Sequence, residues 1–584
     1  MQLNVRSTLL SLLITSLFII LSTPWQLNAS GPKLSLSEEL QKSDTPVQIE
    51  LSERLRHRIE AQPVERGALE VGGQVLFSQR SLPQFYINSG FQPLWLGEDN
   101  EQRLEAVVET IRTSYRHGLN PDSYHFDRIE TLLSMYDNPA RLSTRAQADL
   151  ELLLTDGFIL MTSHLIAGQL DPLTLDPNWH VARDEVDYLS LLDSVMQGEA
   201  IEDVITSVQP QHRRYGYLMD ALERYREISR SGGWPQVSEG VTLRPGMEDE
   251  RIPALRQRLV LAGDFHDEDL SEEQLSSAMF DDALREAVIR FQRRHGLDAD
   301  AVVGRNTYAA LNTPVEQRII QVMVNLERWR WLRQDLGENH VLVNIANFSV
   351  EVVEAGETVM DMRAIVGRQY RQTPVFSSRM TYLVLSPYWH LPPGIIRNDI
   401  IPRLRQNPNH TREQNIRIFD GWGANAQEVD PASVNWSESG VAGRYRFRQE
   451  PGPNNALGDV KFMFPNPFHV YLHDTPAREL FGRTQRDFSS GCIRIDKPLE
   501  FAEYLLRNDS RWSRTAINDA IRQGRERSVT LPQPVWVHIL YWTAWSEPDG
   551  TIHFRNDIYQ RDRRLIEAIQ EKLETPLTHI ETTE

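Results

Sequence analysis

The apolar residues of this 584-residue chain change period once, and that change constrains its fold more than any other feature. Before about residue 340 they recur at helical spacing. Leu255 and Leu259 share one stripe; Leu284, Val288 and Phe291 share another; Ile319, Ile320, Met323, Leu326 and Trp329 form a third. From Val341 they alternate instead, with Phe348, Val350 and Val352 set against Ser349 and Glu351. The pattern predicts helical domains followed by a mostly-β domain, a multidomain α+β chain of roughly three or four units.

The β part holds the only cysteine, Cys492. A lone cysteine is ordinarily a small buried hydrophobe. Its flanks point elsewhere here. Ser489 and Ser490 place polar groups beside the thiol, and Gly491 permits a sharp turn. Upstream, Phe468, Val470 and Leu472 alternate with His469, Tyr471 and His473, which reads as a half-buried strand with Tyr471 and His473 on one face. A hairpin-like return would set Cys492 beside His473, and an imidazole can take a thiol proton. The backbone N–H groups of Gly491 and Cys492 are candidate oxyanion donors. Tyr471 can contact substrate or donate to the oxyanion. Arg494 can raise the local positive potential, hold a substrate carboxylate or form a structural ion pair. Trp389, at the base of an insertion over residues 395–450, can pack on substrate or in a core. No HExxH, cysteine pair or P-loop is present, so neither metal nor cofactor is expected.

The formal charge of −19 argues against a nucleic-acid partner. Arg6, the apolar run Leu9 to Leu21 and Leu27-Asn28-Ala29 read as an export signal over residues 1–29. It is either cleaved after Ala29 or retained as an anchor, the one expected membrane contact. No later stretch reads as apolar enough to span a bilayer. Residues 30–65 are expected to be mobile.

The stretch from His473 to Asp496 resembles the catalytic core of the L,D-transpeptidases: Ser489, Gly491, Cys492, Ile493 and Arg494 match the motif. Ser490 stands where many members have His, and Asp474 where many have Gly. Both departures resemble the large periplasmic branch. The FQRRHGLDADAVVG stretch is similar to peptidoglycan-binding repeats. The resemblance implies a helical scaffold domain (66–235), a three-helix peptidoglycan-binding-like domain (243–312) that binds wall or only spaces, and a connecting helix (313–334). It further implies a catalytic domain (340–560) with a lid (395–450) and a tail (561–584). It implies that Cys492 forms a thioester at the L-centre of diaminopimelate, releases D-Ala and passes the acyl group to another stem. Tyr471, Ser490, Arg494 and Trp389 then become substrate-binding candidates. Peptidoglycan stem peptides are the expected partners, with peptidoglycan synthases and D,D-carboxypeptidases as candidate protein partners, and the periplasm the expected location. The rival readings are a thioester hydrolase, acting as L,D-carboxypeptidase or crosslink-cleaving endopeptidase, and a non-catalytic wall-binding scaffold.

Overall fold

The computed structural model describes residues 46–61, 69–97, 99–135, 142–181, 187–265, 271–423 and 425–574. The expected signal, 1–29, lies outside them. The first helical unit is built around the helix Thr144–Ala167, which is buried on nearly all sides. This helix is long and apolar enough to cross a membrane, contrary to the sequence expectation, but most of it is buried inside the fold. It carries polar groups inward for structural work. Glu151 accepts the backbone N–H groups of Trp95 and Leu96, and Asp156 accepts that of Ser78 and pairs with His125. Helix Pro46–Glu60 sends Leu51, Leu55 and Ile59 into the same core. The packed unit therefore begins inside the stretch expected to be mobile.

A second unit packs Ile252–Leu261 against Asp282–Arg294 and Arg305–Leu311, with Leu255, Leu259, Leu284, Val288, Phe291 and Leu311 at its centre. It docks on the last hairpin of the β region. Arg294, paired with the buried Asp264, also reaches the Ile552 carbonyl, and His295 stacks on Phe554.

The region from Asn339 onward is built on a nine-stranded sheet. Its main strands are β1 (Asn339–Asn344), β2 (Ser349–Glu354), β3 (Glu357–Gly367), β4 (Phe376–Leu385), β5 (Val460–Met463), β6 (Leu472–His473), β7 (Ile493–Ile495) and β8 (Arg527–Leu540). They pair in the order β3-β7-β6-β5-β4-β8-β1-β2, and β2 pairs again with β3, so the sheet closes on itself and leaves these strands no free edge. Asp487–Ser489 adds a short strand beside the end of β3.

Two expectations change here. The alternating stretch 468–473 is strand only at Leu472–His473, because His469 sits at φ +56° and breaks the extended backbone. The return to Cys492 is not a hairpin either: β6 and β7 run parallel, with Leu472 opposite Ile493 and His473 opposite Arg494. The long connection between them makes the parallel crossover that a tight turn cannot. The insertion is a folded subdomain. Trp389–His390, Ile416–Asp420, Gln427–Glu428 and Tyr445–Gln449 form their own sheet, over a core that includes Ile396, Leu404, Ile418, Trp436 and Phe447.

Candidate active site

The β6–β7 register determines the site. Leu472 and Ile493 are fully buried and point into the core, so their neighbours His473, Cys492 and Arg494 share the opposite face. Continuing the ladder one step, the Tyr471 carbonyl accepts the Ile493 N–H at 3.1 Å. Tyr471 thereby flanks Cys492, whose thiol donates to the His469 carbonyl at 3.7 Å. Cys492 and His473 become diagonal neighbours on adjacent strands, within side-chain reach.

His473 is 4% exposed. Its Nδ1 is 2.5 Å from the Asp474 carbonyl, which fixes Nδ1 as the protonated nitrogen and leaves Nε2 as an acceptor. The Asp474 carboxylate accepts the Asp459 N–H at 2.9 Å and pairs with Arg478, so the residue that replaces glycine here braces the backbone that holds the imidazole. Burial, with Arg494 adding to it, pushes the His473 pKa down to about 3. Burial pushes the Cys492 thiol up, against the opposing pull of Tyr471, Lys461 and Arg494. The resting pair is neutral thiol and neutral imidazole, not the imidazolium-assisted thiolate that a low-pKa cysteine would need.

Cys492 ends a turn set by its own small residues. Gly491 adopts φ +114°, a region closed to ordinary side chains. The Ser489 hydroxyl accepts the Gly491 N–H at 3.1 Å and donates to the Cys492 carbonyl at 2.5 Å. Of the two expected oxyanion donors, Gly491 is therefore already engaged, and Cys492 N–H is the one left open among the described residues. Thr373 donates to the Gly491 carbonyl at 2.9 Å and accepts the Gly367 N–H, tying the turn to β3.

These groups line a cavity of about 990 Å³ roofed by the inserted subdomain. All the sequence candidates meet there: Cys492, His473, Gly491, Tyr471, Arg494, Trp389 and Ser490. Trp389 packs partly against the subdomain core and lines the cavity near Tyr471. Ser490 is exposed and accepts from Arg371 at 2.8 Å.

Residues 338–521 match the family model for the L,D-transpeptidase catalytic domain. That stretch, 338–521, is where the chain resembles the L,D-transpeptidases. Residues 80–222 match the "Scaffold domain" and 248–311 the "Putative peptidoglycan binding domain". A curated Haemophilus influenzae protein described as "Putative L,D-transpeptidase" is 36% identical over 227 residues, covering 39% of this chain and 45% of that protein. The chain thus spans under half the length of the relative it matches. A crystal structure of an L,D-transpeptidase from Xylanimonas cellulosilytica matches at 16% identity, over 52% of this chain and 99% of that one, with a TM-score of 0.16.

The cavity also takes in residues that sequence reasoning missed. Lys461 lies opposite His473 on β5, with its ammonium 3.9 Å from the Tyr471 ring centre. Arg368 and Arg371 come from the loop after β3, and Asn178 and His180 from the helical scaffold. Each reaches the cavity through strand register or domain docking, which leaves no local signature in the sequence.

Proposed function

We propose that the chain crosslinks peptidoglycan stems by L,D-transpeptidation through a Cys492 thioester. The observation that carries this reading is the shared face of β6 and β7, which sets His473, with its Nε2 unprotonated, diagonally across from Cys492, whose thiol donates to the His469 carbonyl at 3.7 Å. Cys492 Sγ attacks the carbonyl at the L-centre of diaminopimelate in a tetrapeptide stem while His473 takes the thiol proton. The Cys492 N–H and the Tyr471 phenol, held protonated by burial and by the adjacent thiol, stabilise the oxyanion. His473 then gives its proton to the departing amine of D-Ala as the C–N bond breaks. An amine from a second stem attacks the thioester, His473 accepts its proton, and the C–S bond breaks to restore the thiol. The substrate is periplasmic, which agrees with the export signal read in the sequence, and the peptidoglycan-binding-like unit supplies a second contact with the wall. A carbapenem, acylating the same thiol, is the matching probe.

The test is purified protein with disaccharide-tetrapeptide, read by intact-product mass spectrometry. A crosslinked dimer lacking one D-Ala is expected, and Cys492→Ala abolishes it. Loss of D-Ala without dimer would replace transpeptidation by hydrolysis. Activity surviving Cys492→Ala would remove the nucleophile assignment.

A further inference from the structure

The wall of the cavity is cationic although the chain as a whole is strongly acidic. Arg368, Arg371, Arg403, Lys461 and Arg494 line it against one carboxylate, Asp399, which is already paired with Arg371. Two of these cations stand out. Arg494 lies two residues beyond Cys492 on the same strand face, and its Nε is buried without a hydrogen-bond partner. Arg368 is anchored beside the nucleophile turn by its N–H to the Ser489 carbonyl at 3.1 Å, and donates its guanidinium only to the Tyr370 phenol. Among the described residues no carboxylate lies within ion-pair distance of either, and the two guanidiniums repel each other strongly enough to help burial lower the pKa of Arg494. A half-buried cation with an open donor, set beside a like charge, is costly unless an anion completes it.

Resting on the transpeptidase reading above, we propose that Arg494 and Arg368 form one carboxylate subsite that serves the leaving group and the acceptor in turn. The chemistry requires the two to be alike. The departing amine of D-Ala sits on a carbon of D configuration that also bears a carboxylate. The acceptor amine of diaminopimelate sits on a D-centre that bears one too. Acylation breaks the C–N bond to the first; deacylation forms the equivalent bond to the second. Each amine must pass through the same position next to the thioester carbon, with its carboxylate two bonds away. A guanidinium pair adjoining Cys492 captures that carboxylate with charge-assisted hydrogen bonds. It thereby selects α-amino acids as acceptors over simple amines and over water.

The experiment compares two acyl donors on the full-length protein: the disaccharide-tetrapeptide ending in D-Ala and the same stem ending in D-alaninamide. D-alanine and D-alaninamide are compared as acceptors in the same way. Wild-type kcat/KM should fall about tenfold to a hundredfold on amidation of either partner, the loss expected for removing hydrogen bonds to a charged group. Arg494→Gln and Arg368→Gln should each lower turnover of the acid donor more than that of the amide donor, so that the ratio collapses toward one; Arg494→Lys should recover part of it. Equal wild-type turnover of acid and amide overturns the subsite without any variant, and so does a ratio preserved in the Gln variants. If the wild type makes no product and no Cys492 adduct from either donor, the transpeptidase reading itself fails, and the subsite with it.

Discussion

At the scale of single residues, the protonation states of Cys492 and His473 decide how the site works. Burial lowers the imidazole pKa from the ordinary 6.5 to about 3 and raises the thiol. A base acts when deprotonated, so a lowered pKa keeps His473 competent further into acid. Acylation of Cys492 by a carbapenem should therefore show no acidic limb between pH 5 and 7, the range where an unperturbed imidazole titrates. Stopped-flow rates across that range check this; a limb near pH 6.5 would mean that His473 is solvated. Cys492 and His473 were legible in the sequence because residue type and flanking turn chemistry are local. The engagement of Gly491 N–H by Ser489 was not, because it depends on how the turn closes. Nor was the contribution of Lys461, which is brought opposite His473 by strand register alone.

At the scale of elements, the inserted subdomain is tied to the nucleophile turn through one side chain. Arg371 Nη1 lies 2.8 Å from Asp399 Oδ2 in the subdomain and 2.8 Å from Ser490 Oγ. The pair is partly exposed, so it contributes about 1 kcal/mol, enough to shift an opening equilibrium roughly fivefold. Arg371→Ala should raise hydrogen exchange in residues 396–406 while leaving the barrel strands protected. Unchanged exchange there would leave the roof held by its own packing. The alternation after Val341 made the strands legible, and the polar composition of 395–450 marked an insertion. Its buried core was hidden because Ile396, Ile418 and Phe447 are scattered among charged residues and converge only on folding. The parallel pairing of β6 with β7 was hidden for a related reason: a Gly- and Asp-rich connection reads as a turn, while its length permits a crossover.

At the scale of the whole molecule, the helical and catalytic regions share one core, which no boundary drawn from composition reveals. Helix Arg213–Arg230 packs Tyr215, Leu218 and Leu222 against the barrel side, with helix Val315–Arg330. The segment 178–180 pairs with Val375, sets the His180 ring against Phe468 at 4.5 Å with the planes tilted by 31°, and so forms part of the cavity wall. Trp331 contacts Trp179 edge-on at 5.0 Å, and its indole Nε1 donates to the Leu170 carbonyl and to Glu327. Gly168 sits at this junction with φ +82°, and a Cβ built there would lie 2.5 Å from Trp331 Nε1. Gly73 has a similar φ, +84°, but nothing within 4 Å of its Cβ position. The two substitutions contrast an open site with a crowded one. Gly73→Ala should cost only the left-handed conformation, about 1 kcal/mol. Gly168→Ala adds overpacking of a fully buried indole and, at φ +82° and ψ 158°, a backbone region essentially reserved for glycine, together roughly 1–3 kcal/mol more. It should also slow carbapenem acylation of Cys492, because relieving the clash moves the segment that carries Asn178 and His180. Denaturant unfolding and acylation rates, measured on both variants, decide the matter. If Gly168→Ala behaves like Gly73→Ala in both, the junction is loose and the helical region does not help to shape the cavity.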